Sequence, residues 1–103
     1  KEPTNPEAFH TIASYYWDET QKDTRLNEQQ KKDYVEKGLG AVDKAIQLRP
    51  DYVEALTFKG LLLRLEANLE KDLGRQQALL REANELRDKA EEIRKQKVGT
   101  TGQ

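Results

Sequence analysis

An internal repeat of 45 to 47 residues constrains the fold of this chain more than any other feature. Phe9, Ala13 and Tyr16 are matched by Leu56, Gly60 and Leu63, each 47 positions later. A second block, 45 positions apart, matches Gly38, Asp43, Lys44 and Ala45 with Ala83, Asp88, Lys89 and Ala90. The residues of the first block recur at spacings of four and three positions, the period of an amphipathic helix. The two halves therefore predict two helical hairpins of the same plan.

Apolar spacing and end signals predict four helices, at about residues 5–22, 28–49, 52–72 and 74–97. The uncharged tail, residues 98–103, is expected to be flexible. The predicted fold class is all-α, two elongated antiparallel helical hairpins in a single domain of 103 residues. The first repeat takes in about residues 5–50 and the second about residues 51–97.

Three residues are positioned as N-caps of these helices. Asn5 precedes a proline at the first helical position, where the missing N–H costs nothing. Asn27 and Asp51 are each followed three positions later by a residue that can complete a capping box, Gln30 and Glu54.

The third helix is apolar around most of its circumference, with leucines at positions 56, 61, 62, 63, 65 and 69. Such a helix packs between neighbours rather than lying on a surface. Only 35% of the chain is apolar, so burial must be concentrated in this helix and on the inward faces of the others.

These residues resemble the tetratricopeptide repeat (TPR) family, whose unit is a pair of antiparallel helices that meet at small residues. The pattern of Phe9, Ile12, Ala13 and Tyr16 is similar to the first helix of a repeat. The second helix and its closing proline are represented by Gly38, Val42, Ala45 and Pro50. The spacing departs from the family, because Tyr16 and Gly38 lie 22 positions apart where nine is usual. Both hairpins are therefore elongated. Arg87 and Lys95 stand where the family has an apolar residue and a proline.

The resemblance implies a protein–protein interaction or scaffold module, because the first helix of each TPR repeat lines a concave groove that binds a protein or peptide partner. Carried over to this chain, the groove comprises Glu7, His10, Ser14, Trp17, Asp18, Glu54, Thr57, Leu61, Arg64 and Leu65. Trp17 is the strongest anchor candidate, since aromatic side chains dominate interface energetics. The alternative is that Trp17 packs in the core against Tyr15, Tyr16 or Tyr34.

The family's lysine and asparagine clamp for a C-terminal carboxylate is not reproduced at these positions, which disfavours binding of chaperone tails. A second class of function remains open: structural self-association into a homo-oligomer through the leucine-rich third helix. Similarity to elongated bacterial variants implies an extracytoplasmic, periplasmic location.

Catalysis has no support in the sequence, and we predict that the chain is not an enzyme and uses no cofactor. His10 is the only histidine, and cysteine is absent. The chain has no metal-ligand spacing, phosphate-binding glycine loop or nucleophile motif. The basic residues are interleaved with acids and the isoelectric point is near 5.9, which argues against nucleic-acid binding. No apolar run is long enough to span a membrane.

Overall fold

The computed structural model describes the backbone of residues 5–101 and the side chains of residues 5–97. Four helices make up the fold, namely α1 (Pro6–Lys22), α2 (Glu28–Leu48), α3 (Val53–Leu69) and α4 (Leu73–Thr101). No strand occurs between residues 5 and 101. The predicted all-α class is confirmed.

Adjacent helices form two antiparallel hairpins that are joined along one seam. α1 packs along α2, and α3 packs along α4. The hairpins meet chiefly between α2 and α3, while α1 and α3 touch over a smaller area. α3 therefore has neighbours on three sides, as its apolar circumference predicts, and its leucines at positions 56, 62 and 63 are buried.

The helix bounds repeat with the offsets that the sequence shows. α3 begins and ends 47 positions after α1, and α4 begins 45 positions after α2. The second hairpin differs at its end. The position equivalent to the end of α2 is Ile93, but α4 continues to Thr101.

Two of the predicted N-caps are confirmed. The Asn5 side chain accepts the Glu7 N–H at 2.9 Å, with proline in the first turn of α1. At the start of α2, the Asn27 side chain accepts the Gln30 N–H at 2.8 Å and the Gln30 side chain accepts the Asn27 N–H at 2.9 Å. These two bonds form a complete capping box.

The third predicted cap is wrong. The N-cap of α3 is Tyr52, which makes no side-chain capping bond. Asp51 lies in the preceding turn, where its carboxylate Oδ2 is 3.8 Å from the Lys97 Nζ of α4. The turn is closed by the backbone instead, since the Tyr52 N–H donates to the Arg49 carbonyl at 3.1 Å.

The predicted ends of the third helix and of the fourth are also wrong. α3 ends at Leu69, because Glu70 leaves helical geometry and its carboxylate accepts the Asp72 N–H at 3.1 Å and the Arg75 Nε–H at 3.1 Å. α4 begins at Leu73 and its backbone is helical through Thr101, within the tail expected to be flexible. The rest of that tail lies outside the described residues.

The core follows the seam between the hairpins. Its central cluster is Ala13, Val42, Ala45, Tyr52, Ala55 and Leu62. α2 and α3 lie close together at Gly38, where an added Cβ would be 3.3 Å from both methyl carbons of Leu62. A side chain at Gly38 would therefore require Leu62 to move by a few tenths of an ångström, in a part of the core where it is fully buried.

Candidate functional site

α1, α3 and α4 border two clefts on one side of the molecule. The first cleft, of about 320 Å³, is lined by His10, Val53, Glu54, Thr57, Phe58 and Arg94. The second cleft, of about 200 Å³, is lined by Thr57, Gly60, Leu61, Arg64, Ala83 and Arg87. Thr57 belongs to both, so the clefts follow one another along α3.

Half of the residues predicted for the groove line these clefts: His10, Glu54, Thr57, Leu61 and Arg64. The other five lie outside them. Glu7 and Asp18 are exposed, while Ser14, Trp17 and Leu65 are half-buried. Glu7 faces Arg49, with 3.8 Å between the carboxylate Oε2 and the guanidinium Nη1.

Aromatic rings join α1 to α3 at the edge of the first cleft. The His10 ring lies 5.3 Å from the Phe58 ring and 5.5 Å from the Tyr52 ring, measured between centroids. Trp17 meets Phe58 edge to face at 6.0 Å. Tyr16 packs against Tyr15 and Tyr34 instead. Trp17 thus contacts α3 through Phe58 and packs, half-buried, against the central core cluster.

The side chain of Tyr52, at the start of α3, packs against residues of the first hairpin. It is 9% exposed and lies between the His10 ring and the Arg49 guanidinium, whose carbon is 4.9 Å from the ring centre. Burial raises the pKa of the Tyr52 phenol, and the negative charges of Glu7 and Glu54 raise it further. Its surroundings therefore favour a neutral aromatic ring under a cation.

The first cleft corresponds, on the second hairpin, to the space that the Tyr52 side chain fills on the first hairpin. Thr57 and Glu54 lie 47 positions after His10 and Glu7, and Arg94 lies 45 positions after Arg49. On the first hairpin these positions surround a tyrosine, whereas on the second they border open space. The cleft therefore presents a cation and a carboxylate beside an apolar wall formed by Val53 and Phe58.

Three arginines line the two clefts, Arg94 in the first and Arg64 and Arg87 in the second. Arg64 donates to the Asn84 side-chain oxygen at 2.9 Å. Arg87 and Arg94 lie 3.6 and 3.8 Å from the neighbouring carboxylates of Asp88 and Glu91, in exposed pairs that contribute little to stability. These guanidinium groups remain available to bind an external carboxylate or aromatic ring.

Sequence reasoning missed the residues that α4 contributes, Ala83, Arg87 and Arg94, because it placed the groove on the first helix of each hairpin alone. The offset of 45 residues that relates Arg94 to Arg49 was the signal that could have found it.

Within residues 5–97, no group of three or more acidic or histidine side chains could hold a metal ion. Every buried side-chain nitrogen or oxygen in that range has a hydrogen-bond partner. None of the described helices is long and apolar enough to cross a membrane.

Comparison with known proteins identifies no relative of this chain. No protein-family model, curated protein or solved structure matches the chain.

Proposed function

We propose that this chain is a TPR-like protein-interaction module that binds a segment of a partner protein along α3, in the two clefts bordered by α1 and α4. The observation that carries the proposal is the first cleft. Three of its lining residues are equivalent to residues around the buried Tyr52 side chain, but here they border open space. The TPR resemblance, and the bacterial extracytoplasmic location that it implies, belong to the same proposal and rest on the sequence patterns alone.

The lining of the first cleft indicates the chemistry of the partner. A side chain that enters it meets the Arg94 guanidinium, the Glu54 carboxylate and the rings of His10 and Phe58. A tyrosine suits this set, because its ring can pack under a guanidinium and its hydroxyl can bond to a carboxylate. We therefore infer a partner segment that carries an exposed aromatic residue.

The second cleft extends the same binding surface toward the middle of α3. Leu61 supplies exposed apolar area there, and Arg64 and Arg87 lie at its border. An apolar residue flanked by an acidic one would be complementary to this lining. The partner segment is thus expected to run along α3 with an aromatic residue near Arg94 and an acidic residue near Arg87.

The alternative function, self-association through the leucines of α3, has less support. Leu56, Leu62 and Leu63 are buried within the chain, where they pack against the neighbouring helices. Only exposed apolar side chains are available to an interface, and on α3 the main one is Leu61.

Selection of displayed peptides tests the proposal. The immobilised chain is expected to enrich peptides with an aromatic residue and an acidic residue. Their binding should be lost in Thr57→Arg, which fills the region shared by both clefts, and weakened in Arg94→Ala. Lys44→Ala, an exposed change on α2 away from both clefts, is the matched control. Enrichment of peptides whose binding is unaffected by Thr57→Arg would reject the groove.

A further inference from the structure

The position of Tyr52 shows how this fold holds a tyrosine side chain. The centre of its ring lies 5.5 Å from the centre of the His10 ring and 4.9 Å from the guanidinium carbon of Arg49. Burial raises the pKa of the phenol, and the negative charges of Glu7 and Glu54 raise it further. The position thus combines a cation against the ring with carboxylates near a hydroxyl that stays protonated.

The equivalent charged groups in the first cleft are not paired with each other. Glu54 and Arg94 stand at the positions equivalent to Glu7 and Arg49. Glu7 and Arg49 face each other, with 3.8 Å between Oε2 and Nη1. No such pair joins Glu54 to Arg94, whose Nη1 lies 3.8 Å from the Glu91 carboxylate on its own helix instead. The carboxylate of Glu54 and the guanidinium face of Arg94 are therefore available to a side chain that enters the cleft.

We propose that the first cleft selects an unmodified tyrosine of the partner segment, that Glu54 is the residue that determines this choice, and that phosphorylation of the tyrosine ends the binding. This selectivity presupposes the proposed function, since it concerns the same cleft. It narrows the aromatic residue expected there to one that carries a hydroxyl donor and no added negative charge.

The hydroxyl group is selected because the Glu54 carboxylate has no cation bound to it. Among the side chains of residues 5–97, none forms an ion pair with this carboxylate. A tyrosine hydroxyl can donate a hydrogen bond to it, and a bond with one charged partner is stronger than a neutral one. A phenylalanine would instead shield the carboxylate from water without a bond, which costs free energy. Tyrosine is therefore favoured over phenylalanine.

Phosphotyrosine is excluded by its charge. A phosphate group adds about 1.5 to 2 negative charges at neutral pH, and it would lie where the hydroxyl meets Glu54. Arg94 offers limited compensation, because the Glu91 carboxylate already shares its charge. Sites that bind phosphotyrosine use clusters of arginines, whereas the described lining of this cleft contains one. Phosphorylation of the partner should therefore release it from the cleft.

A peptide with the sequence of residues 50–56, Pro-Asp-Tyr-Val-Glu-Ala-Leu, is the probe, because in the chain this segment presents Tyr52 to the equivalent groups of the first hairpin. Three forms are compared: the tyrosine form, a form with phenylalanine in its place, and a form phosphorylated on the tyrosine. NMR titration of the isotope-labelled chain measures each dissociation constant, and the signals of Thr57, Phe58 and Arg94 report on the first cleft. We expect the phenylalanine form to bind about tenfold more weakly, and the phosphorylated form at least about 30-fold more weakly, than the tyrosine form.

Glu54→Gln separates the effect of charge from that of shape. Glutamine keeps an oxygen that accepts the hydroxyl bond but lacks the negative charge. The variant should bind the tyrosine form about threefold more weakly and the phosphorylated form at least about threefold more tightly than the unaltered chain. A loss of folded structure would weaken both, so changes in opposite directions identify a role in specificity. Glu85→Gln removes the same charge at an exposed position of α4 outside both clefts, and it should leave the ratio of the two affinities unchanged.

Three results would overturn this selectivity: no response of Thr57 or Arg94 to the tyrosine form, equal affinities of the three forms, or tighter binding of the phosphorylated form, which would make the cleft a phosphate site built on Arg94. An equal change of the affinity ratio in Glu54→Gln and Glu85→Gln would also reject it. The proposed function has a separate outcome. Displayed peptides that lose binding in Thr57→Arg but contain no tyrosine would reject the selectivity and leave the proposed function standing.

Discussion

The guanidinium carbon of Arg49 lies 4.9 Å from the centre of the Tyr52 ring, and this contact joins the end of the first hairpin to the start of the second. The ring also contacts His10 of α1, so that one side chain at the start of α3 touches both α1 and the end of α2. Tyr52 belongs to the central core cluster as well. Its contribution to stability should therefore exceed that of the other tyrosines.

Replacement of this ring should be costly. Tyr52→Ala removes a nearly buried aromatic side chain at the seam, and we expect it to lower the free energy of unfolding by about 3 kcal/mol. Urea denaturation measures the loss. Tyr15→Ala, at an exposed position, should cost less than about 0.5 kcal/mol at a concentration where the chain is monomeric. Equal losses of unfolding free energy in the two variants would show that Tyr52 does not stabilise the contact between the hairpins.

Two helical glycines of α2 should respond differently to alanine. Gly40 has open space around the position of a Cβ, so Gly40→Ala should stabilise the chain by up to about 1 kcal/mol through helix propensity. Gly38→Ala gains the same propensity but brings its methyl 3.3 Å from Leu62, which is fully buried and has little room to move. We expect Gly38→Ala to have the lower thermal midpoint of the two. The reverse order would mean that the hairpins approach less closely at this point.

The N-caps predict a contrast between two positions that look alike in the sequence. Asn27→Ala removes the capping bond of α2 and should cost about 1 kcal/mol. Asp51→Ala removes no capping bond, since its carboxylate faces Lys97 in an exposed pair, and should cost less than about 0.5 kcal/mol. Thermal unfolding of both variants at neutral pH compares them. A loss at Asp51 as large as that at Asn27 would contradict the observed start of α3.

Glu66 should make the folded chain less stable as the pH rises, which is the opposite of the usual effect of a carboxylate. Burial raises its pKa above the ordinary value of 4.5, and although Arg75 opposes the shift, Glu36 and Glu70 add to it. The unfolded chain therefore releases this proton at lower pH than the folded chain, so the contribution of Glu66 to stability is greatest below pH 4.5 and falls as the pH rises through the folded pKa. Glu66→Gln removes this dependence.

The expected result is that Glu66→Gln is more stable, relative to the unaltered chain, at pH 7 than at pH 3. Urea midpoints at the two pH values measure the difference, and Glu85→Gln, at an exposed position on α4, is the matched control. A difference for Glu66→Gln that is constant between pH 3 and pH 7, or one that the control shares, would contradict the assignment.

Much of the fold could be predicted because its signals are local. The starts of α1 and α2 are set by Asn5 and Asn27, whose side chains bond to N–H groups two or three residues away. The repeat offsets could be read directly from the residues and agree with the helix bounds. The end of α3 was misplaced although the bonds of Glu70 to Asp72 and Arg75 are local, whereas the error at Asp51 involves a distant residue. Asp51 faces Lys97, 46 positions away, and that contact cannot be read from a capping pattern.

The candidate site was predicted less completely than the fold. The pattern located the α1 and α3 residues, but it could not show which of them border open space, since that depends on the path of α4. His10 and Thr57 line the first cleft, whereas Ser14 and Asp18 lie outside both clefts. The contribution of Arg94 follows from α4 running antiparallel beside α3, which is a tertiary property.

The unequal joining of the hairpins has a mechanical consequence. α2 and α3 are held together along a tight seam at Gly38, whereas α1 and α3 meet over a smaller area, through the rings of His10, Phe58 and Trp17. A change in the angle between the hairpins would therefore disturb the ring contacts of α1 with α3 more readily than the contact at Gly38, where a Cβ would lie only 3.3 Å from Leu62. His10 of α1 and Phe58 of α3 both line the first cleft, so a change in the angle between the hairpins would alter the shape of that cleft. A side chain bound there would fix the curvature of the whole molecule.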